Sequence, residues 1–209
     1  MKFDIPIPEQ LRHLPRDERG YPIPYFVPYE DGKPLFHLLD TAKQLTCIKY
    51  AKCAICGKQL KKGEIYFITG PQGLYNAVAT DPGMHLICAE FSIRVCPHMV
   101  YFKATRRPDP RDEQLQLEQY HMAREKPTEL YLIRAKGYTT SYQYSALVIS
   151  YEVLSWHRYF YQDNILVKDE TPQGKGGKKF ELSEDQKKHR ASIEADILLK
   201  AALQGKSKK

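Results

Sequence analysis

Four residues in two short runs of this sequence could hold a metal ion. Cys53 and Cys56 are separated by two residues and followed by Gly57, the layout of a zinc knuckle, in which a tight turn aims two thiolates at one point. Downstream, His85 and Cys88 stand three positions apart at the start of an expected helix, a spacing that puts both on one helical face. Together they make a Cys3His set, which suits one tetrahedral structural Zn2+. All four positions would be filled by protein, so no position is left to activate a water molecule. The set therefore points to a non-enzymatic zinc-binding protein.

The chain has five cysteines, at 47, 53, 56, 88 and 96. An odd number without a secretory signal argues against a disulfide framework. A redox-active pair of this spacing belongs in a thioredoxin-like βαβ setting, and none surrounds Cys53 and Cys56. Cys47 and Cys96 read as small buried hydrophobes. His98 reads as a helix-end residue.

The elements around the ligands give the set its context. Residues 63–80 read as two short strands around the turn Gly70–Gly73, because β-branched and aromatic residues flank a turn signal. Residues 84–96 suit a helix stopped by Pro97. Knuckle, β-hairpin and helix, in that order, make a treble-clef zinc finger over about 47–97, set in an α+β core spanning 35–168. Seven of the 14 prolines fall within residues 1–34, which reads as an extended Pro-rich arm whose aromatics drape it over the core. A short helix is expected at 34–45 and a polar one from 109 to about 124. Residues 129–135 and 144–153 have strand composition, and 152–161 is read as turning helical. A flexible linker at 169–182, a C-terminal helix at 183–203 and a basic tail at 204–209 complete the organisation.

Charge narrows the partners. The chain carries 32 Lys and Arg against 25 Asp and Glu, a net of +7. Residues 173–209 hold ten basic and five acidic side chains, so most of the excess lies in the tail. A second concentration falls at 41–64, where six lysines meet one acid, Glu64. Within it, Lys52, Lys58, Lys61 and Lys62 flank the knuckle and are the candidate nucleic-acid-binding residues, for DNA or RNA. They could equally offset the single net negative charge of three thiolates around a divalent ion.

The leading reading is thus a nucleic-acid-binding module. The alternative is a protein-interaction or regulatory module whose zinc only holds the scaffold. A metal-dependent nuclease of the His-Asn-His kind is disfavoured, because no histidine occurs between 38 and 84 to act on the hairpin. Arg16, Arg19 and Gly20 could contact phosphate, but an Arg–Asp pair pinning the arm to the body is the plainer reading. The tyrosines at 138, 142, 144, 151, 159 and 161 are read as packing rather than base stacking. No apolar run is long enough to span a membrane and no signal peptide is evident, so a cytoplasmic location is expected.

The chain resembles a family of uncharacterised bacterial and phage proteins with a Cys3His treble-clef zinc finger. The likeness rests on DERGYPIPYFV at 17–27, CAICGKQL at 53–60, ITGP at 68–71, PGMHLICAEFSIRVCP at 82–97, Trp156, and ASIEADILLKAA at 191–202. It implies the same four zinc ligands and one integrated architecture; under the protein-interaction reading a host or phage protein is a possible partner. It implies no activity. The arm departs from the family pattern at Asp17-Glu18-Arg19, and the linker before the last helix is longer and more basic.

Overall fold

The computed structural model of the chain describes residues 5–102, 126–143 and 146–170. The helices expected at 109–124 and 183–203, the tail, and the linker beyond residue 170 lie outside these residues. Helices and antiparallel strands both occur, consistent with an α+β fold. No helix among the described residues is long and apolar enough to cross a membrane.

Residues 5–34 contain a 3-10 turn at Glu9–Leu11 and a minimal hairpin of β1 (Tyr29–Glu30) and β2 (Lys33–Pro34). Aliphatic residues fix this segment: Leu11, Leu14, Ile23 and Val27 are buried, while Tyr29 is exposed. Tyr21, Tyr25 and Phe26 are half-buried beside them. Arg19 pairs with Asp17 at 2.8 Å within one turn, whose Asp17 carboxylate also accepts from the Arg19 and Tyr21 N–H groups. The expected Arg–Asp pair is thus local to that turn and does not reach the body.

Helix α1 (Thr41–Lys49) starts seven residues later than the apolar pattern suggests. The Asp40 carboxylate accepts from the Lys43 N–H at 3.0 Å and so sets the helix start. Strand β3 (Ile65–Thr69) is followed by the short helix α2 (Pro71–Asn76), then by β4 (Val78–Ala79). Gly70–Gly73 is therefore the opening of a helix with proline in its first turn, not a hairpin turn. β3 and β4 are not partners. After α3 (Leu86–Val95) and α4 (Pro97–Val100) come the two longest elements, β5 (Glu129–Gln143) and β6 (Ala146–Gln162), and then β7 (Ile165–Lys168).

The β5–β6 ribbon organises the sheet. β3 pairs with β5 from Ile65 opposite Ala135 to Thr69 opposite Tyr131, and β4 pairs with β6, giving the antiparallel order β3-β5-β6-β4 with β7 also on β6. Residues 152–161, expected to turn helical, continue β6, because cross-strand pairs run from Glu129 opposite Phe160 to Gln143 opposite Ala146. Ladder bonds and packing here override a pattern that was ambiguous locally. Leu130, Tyr131, Leu132 and Ile133 are consecutive and all buried. Successive side chains alternate between faces, so the sheet is covered on both sides at that point. Helix α3 packs against β3 and α2 against β5.

Phe67 on β3 lies flat on Tyr151, centroids 4.7 Å apart, with Tyr138 edge-on at 6.2 Å; Trp156 meets Tyr131 edge-on at 5.5 Å. Those tyrosines pack, as their alternation suggests. Asp169, placed by composition in the linker, is buried and paired with Arg158 at 2.6 Å, while Arg158 also reaches Glu129 at 3.5 Å. The ordered core therefore extends past β7. Truncating the central ring should be costly: Phe67→Ala is expected to lose about 3–5 kcal/mol of stability by urea unfolding of the metal-loaded protein. A change within 1 kcal/mol would mean this aromatic layer is not the core.

Candidate metal centre

The knuckle is built by backbone hydrogen bonds around one glycine. The Cys53 N–H donates to the Lys58 carbonyl at 2.8 Å, the Gly57 N–H donates to the Cys53 carbonyl at 2.9 Å, and Lys52 and Gln59 form an antiparallel bridge. Gly57 has φ of +70°, and a Cβ there would lie 3.0 Å from the Tyr25 ring, so the position excludes a side chain for two reasons. A second set of bonds delivers the knuckle to the other ligands. The Ala54 N–H donates to the Gly83 carbonyl at 3.0 Å, and Tyr66 and Met84 exchange two bonds of 2.8 Å. His85, next in the chain, caps α3, and Cys88 falls in the first turn of that helix.

The two pairs meet. The ligand atoms of Cys53, Cys56, His85 and Cys88 all lie within 4.8 Å of one another, and the group could hold a metal ion. His85 Nδ1 is 3.3 Å from Cys56 Sγ and 4.0 Å from Cys88 Sγ. A tetrahedron with Zn–S and Zn–N bonds of ordinary length has edges of about 3.6–3.8 Å, so these separations bracket what the ion requires. All three cysteines are buried.

Contacts outside the ligand set orient it. His85 Nε2 is 3.0 Å from the Gln59 carbonyl. A carbonyl only accepts, so Nε2 carries the proton and Nδ1 turns its lone pair towards the sulfurs. The Gln10 side-chain amide donates to Cys56 Sγ at 3.5 Å, and His13 Nε2 donates to the Cys56 carbonyl at 3.0 Å. The Tyr25 and Phe26 N–H groups donate to the carbonyls of Ile55 and Ala54 at 2.8 and 3.2 Å. The segment before β1 is thus bonded along the whole knuckle. Sequence reasoning missed Gln10 and His13, which lie more than 40 positions from Cys56 with no spacing to betray them. Gln59 acts through its backbone, which residue type does not reveal.

The four groups are electrostatically linked. Hydrogen bonds from Cys56 and Cys88 hold the Cys53 thiol far below its ordinary pKa, against the opposing effect of burial. Hydrogen bonding to Cys53, and burial, raise Cys56 and Cys88, and the bond to Cys53 also raises His85. Metal uptake must therefore expel protons. Cys47 stands apart as a buried thiol pushed up to about 11, first by desolvation and then by Cys53. Cys96 is half-buried just after α3, and His98 lies on α4; neither belongs to the ligand group.

The lysines lie on the outer side of this loop. Lys58, Lys61 and Lys62 are exposed and Lys52 is half-buried. Among the described residues, none of the four side chains forms an ion pair or hydrogen bond.

Metal content should separate the cysteines. Cys56→Ser and Cys88→Ser are expected to lose the ion, whereas Cys47→Ser and Cys96→Ser keep one per chain, as elemental analysis of purified protein would read. Gln10→Ala should retain the ion but weaken its affinity about 10-fold in a chelator competition, because it removes an N–H···S contact outside the ligand set; unchanged affinity would make that contact incidental. Comparisons of the chain with protein-family models, curated proteins and solved structures find no match.

Proposed function

We propose that this chain is a zinc-binding protein in which Cys53, Cys56, His85 and Cys88 hold one structural Zn2+, and that the exposed lysines of the knuckle bind nucleic acid. The observation that carries the first part is the convergence of three sulfurs and one imidazole nitrogen within 4.8 Å. Soft thiolates with imidazole favour zinc over harder divalent ions. Four protein donors complete the tetrahedron, so the ion's role is to hold the knuckle, the turn before α3 and the first turn of α3 together. The order of knuckle, strand and ligand-bearing helix supports a treble clef in which β3 bridges the turn before α3 through Tyr66 and Met84 rather than forming a hairpin with β4.

The second part rests on charge. Zinc with three thiolates leaves one net negative charge, and it is buried. Four lysines exceed what neutralising it requires, and Lys58, Lys61 and Lys62 point their charge at solvent with no acidic partner among the described residues. Such unpaired ammonium groups suit a polyanion through its phosphates, which give affinity without sequence preference.

Two measurements test the proposal separately. Removing zinc with a chelator should abolish cooperative thermal unfolding, since binding free energy of about 10 kcal/mol or more is at stake; an unchanged melting curve would exclude a structural ion. Nucleic-acid affinity should fall with salt at a log–log slope of about −3 to −4 if four phosphates are engaged. Lys58→Glu, Lys61→Glu and Lys62→Glu combined should remove most of that slope, and a variant that binds as tightly as the parent would reject this face.

A further inference from the structure

We propose that the nucleic acid taken by this face is single-stranded, with a base stacked on the ring of Tyr50 and phosphates crossing Lys52, Lys58, Lys61 and Lys62. This rests on the nucleic-acid reading of the lysine face.

Tyr50 is 53% exposed, the highest value among the large apolar side chains of the described residues. A single exposed ring is ordinary on a protein surface. What distinguishes this one is the rigidity of its mounting and the charge around it. Tyr50 follows the last turn of α1, and its N–H donates to the Thr46 carbonyl at 3.1 Å. The Gln59 side chain donates to the Tyr50 carbonyl at 2.8 Å, and the Leu60 N–H donates to the Ala51 carbonyl at 2.7 Å. The backbone beneath the ring is therefore tied on both sides to the strand that carries Lys58 and leads to Lys61. Lys49 holds its ammonium 5.3 Å from the ring centroid.

The turn bearing Lys61 and Lys62 is equally anchored. The Gly63 N–H donates to the Lys136 carbonyl at 3.0 Å, and Arg134 Nε donates to the Gly63 carbonyl at 2.7 Å, which ties the turn to β5. Tyr50, Lys58, Lys61 and Lys62 are thus exposed on backbone whose hydrogen bonds fix it before any ligand arrives.

The chemistry of that surface selects the strandedness of its ligand. In a duplex the faces of the bases are covered by their neighbours, and a protein meets only phosphates and base edges. A flat exposed ring finds no partner there. An unpaired strand offers both a phosphate track and free base faces, the combination that a stacking ring among cations recognises. Lysines engage phosphates as point charges, without the two-pronged geometry used to read base edges, so the surface should tolerate many sequences.

The test uses the zinc-loaded full chain with fluorescein-labelled (dT)20, (rU)20 and a 20-base-pair DNA duplex at 50 mM salt, read by anisotropy. One or both single strands should bind at least about 10-fold more tightly than the duplex, and the two arms distinguish DNA from RNA. Tyr50→Ala should weaken single-strand binding by about 5- to 150-fold, while Tyr50→Trp restores it. The salt slope of Tyr50→Ala should match the parent, because no phosphate contact is lost, whereas Lys58→Ala should make it shallower by about 0.7. Zinc content and melting temperature establish that each variant is folded. Equal affinity for duplex and single strands, or a folded Tyr50→Ala that binds like the parent, overturns base stacking and leaves the lysine reading standing. No binding of any of the three probes overturns both.

Discussion

Bringing the knuckle against the first turn of α3 is the constraint on which the rest of the molecule depends. Cys53 and Cys56 lie about thirty residues before His85 and Cys88, and nothing local makes the two pairs meet. The meeting is arranged by the Ala54 bond to Gly83 and by the paired bonds between Tyr66 and Met84. Gly83 is small because it must be: a Cβ there would sit 2.5 Å from Ile65 Cγ2. The close approach of chain segments that assembles the ligands is thus made through backbone contacts that a side chain would block.

The sheet fixes these segments in turn. β3 carries Tyr66 and is held by β5 over its whole length. β5 is held by β6, whose other edge takes β4 and β7. The aromatic layer of Phe67, Tyr138 and Tyr151 lies on this sheet, and Tyr138 donates to the Ile48 carbonyl at 2.8 Å, tying β5 to the helix that precedes the knuckle. The N-terminal segment closes the other side through Gln10, His13, Tyr25 and Phe26. A metal at this centre therefore touches elements drawn from residues 10 to 88 directly or through one further contact. That accounts physically for a site embedded in a larger α+β fold rather than a short finger standing alone.

Electrostatics divides the region into an inner and an outer layer. Inside, neighbouring thiols and His85 lower the pKa of the buried Cys53, while burial pushes that of nearby Cys47 up. Outside, Lys58, Lys61 and Lys62 remain in water, where each keeps its charge at little cost. The same short loop turns soft donors inwards and hard cations outwards.

The ligand set was legible from residue order alone, because metal coordination imposes short fixed spacings, two residues in a knuckle and three along a helix, that survive in any fold. The helix carrying Cys88 was legible too, since Pro97 marks its end. Other features depended on partners remote in the chain. Gly70–Gly73 carries a sound turn signal, yet β3 and β4 pair with β5 and β6 instead of each other. Residues 152–161 were ambiguous locally and became strand because β5 lies alongside. Gln10, His13 and the Gln59 carbonyl entered the site by three-dimensional proximity. The sequence by itself determined which atoms can bind a metal and where charge accumulates, because those are properties of residue type and short-range spacing. Only the tertiary structure decided which strands pair and what surrounds the ligands, because those contacts are long-range and their energies depend on the whole arrangement being in place.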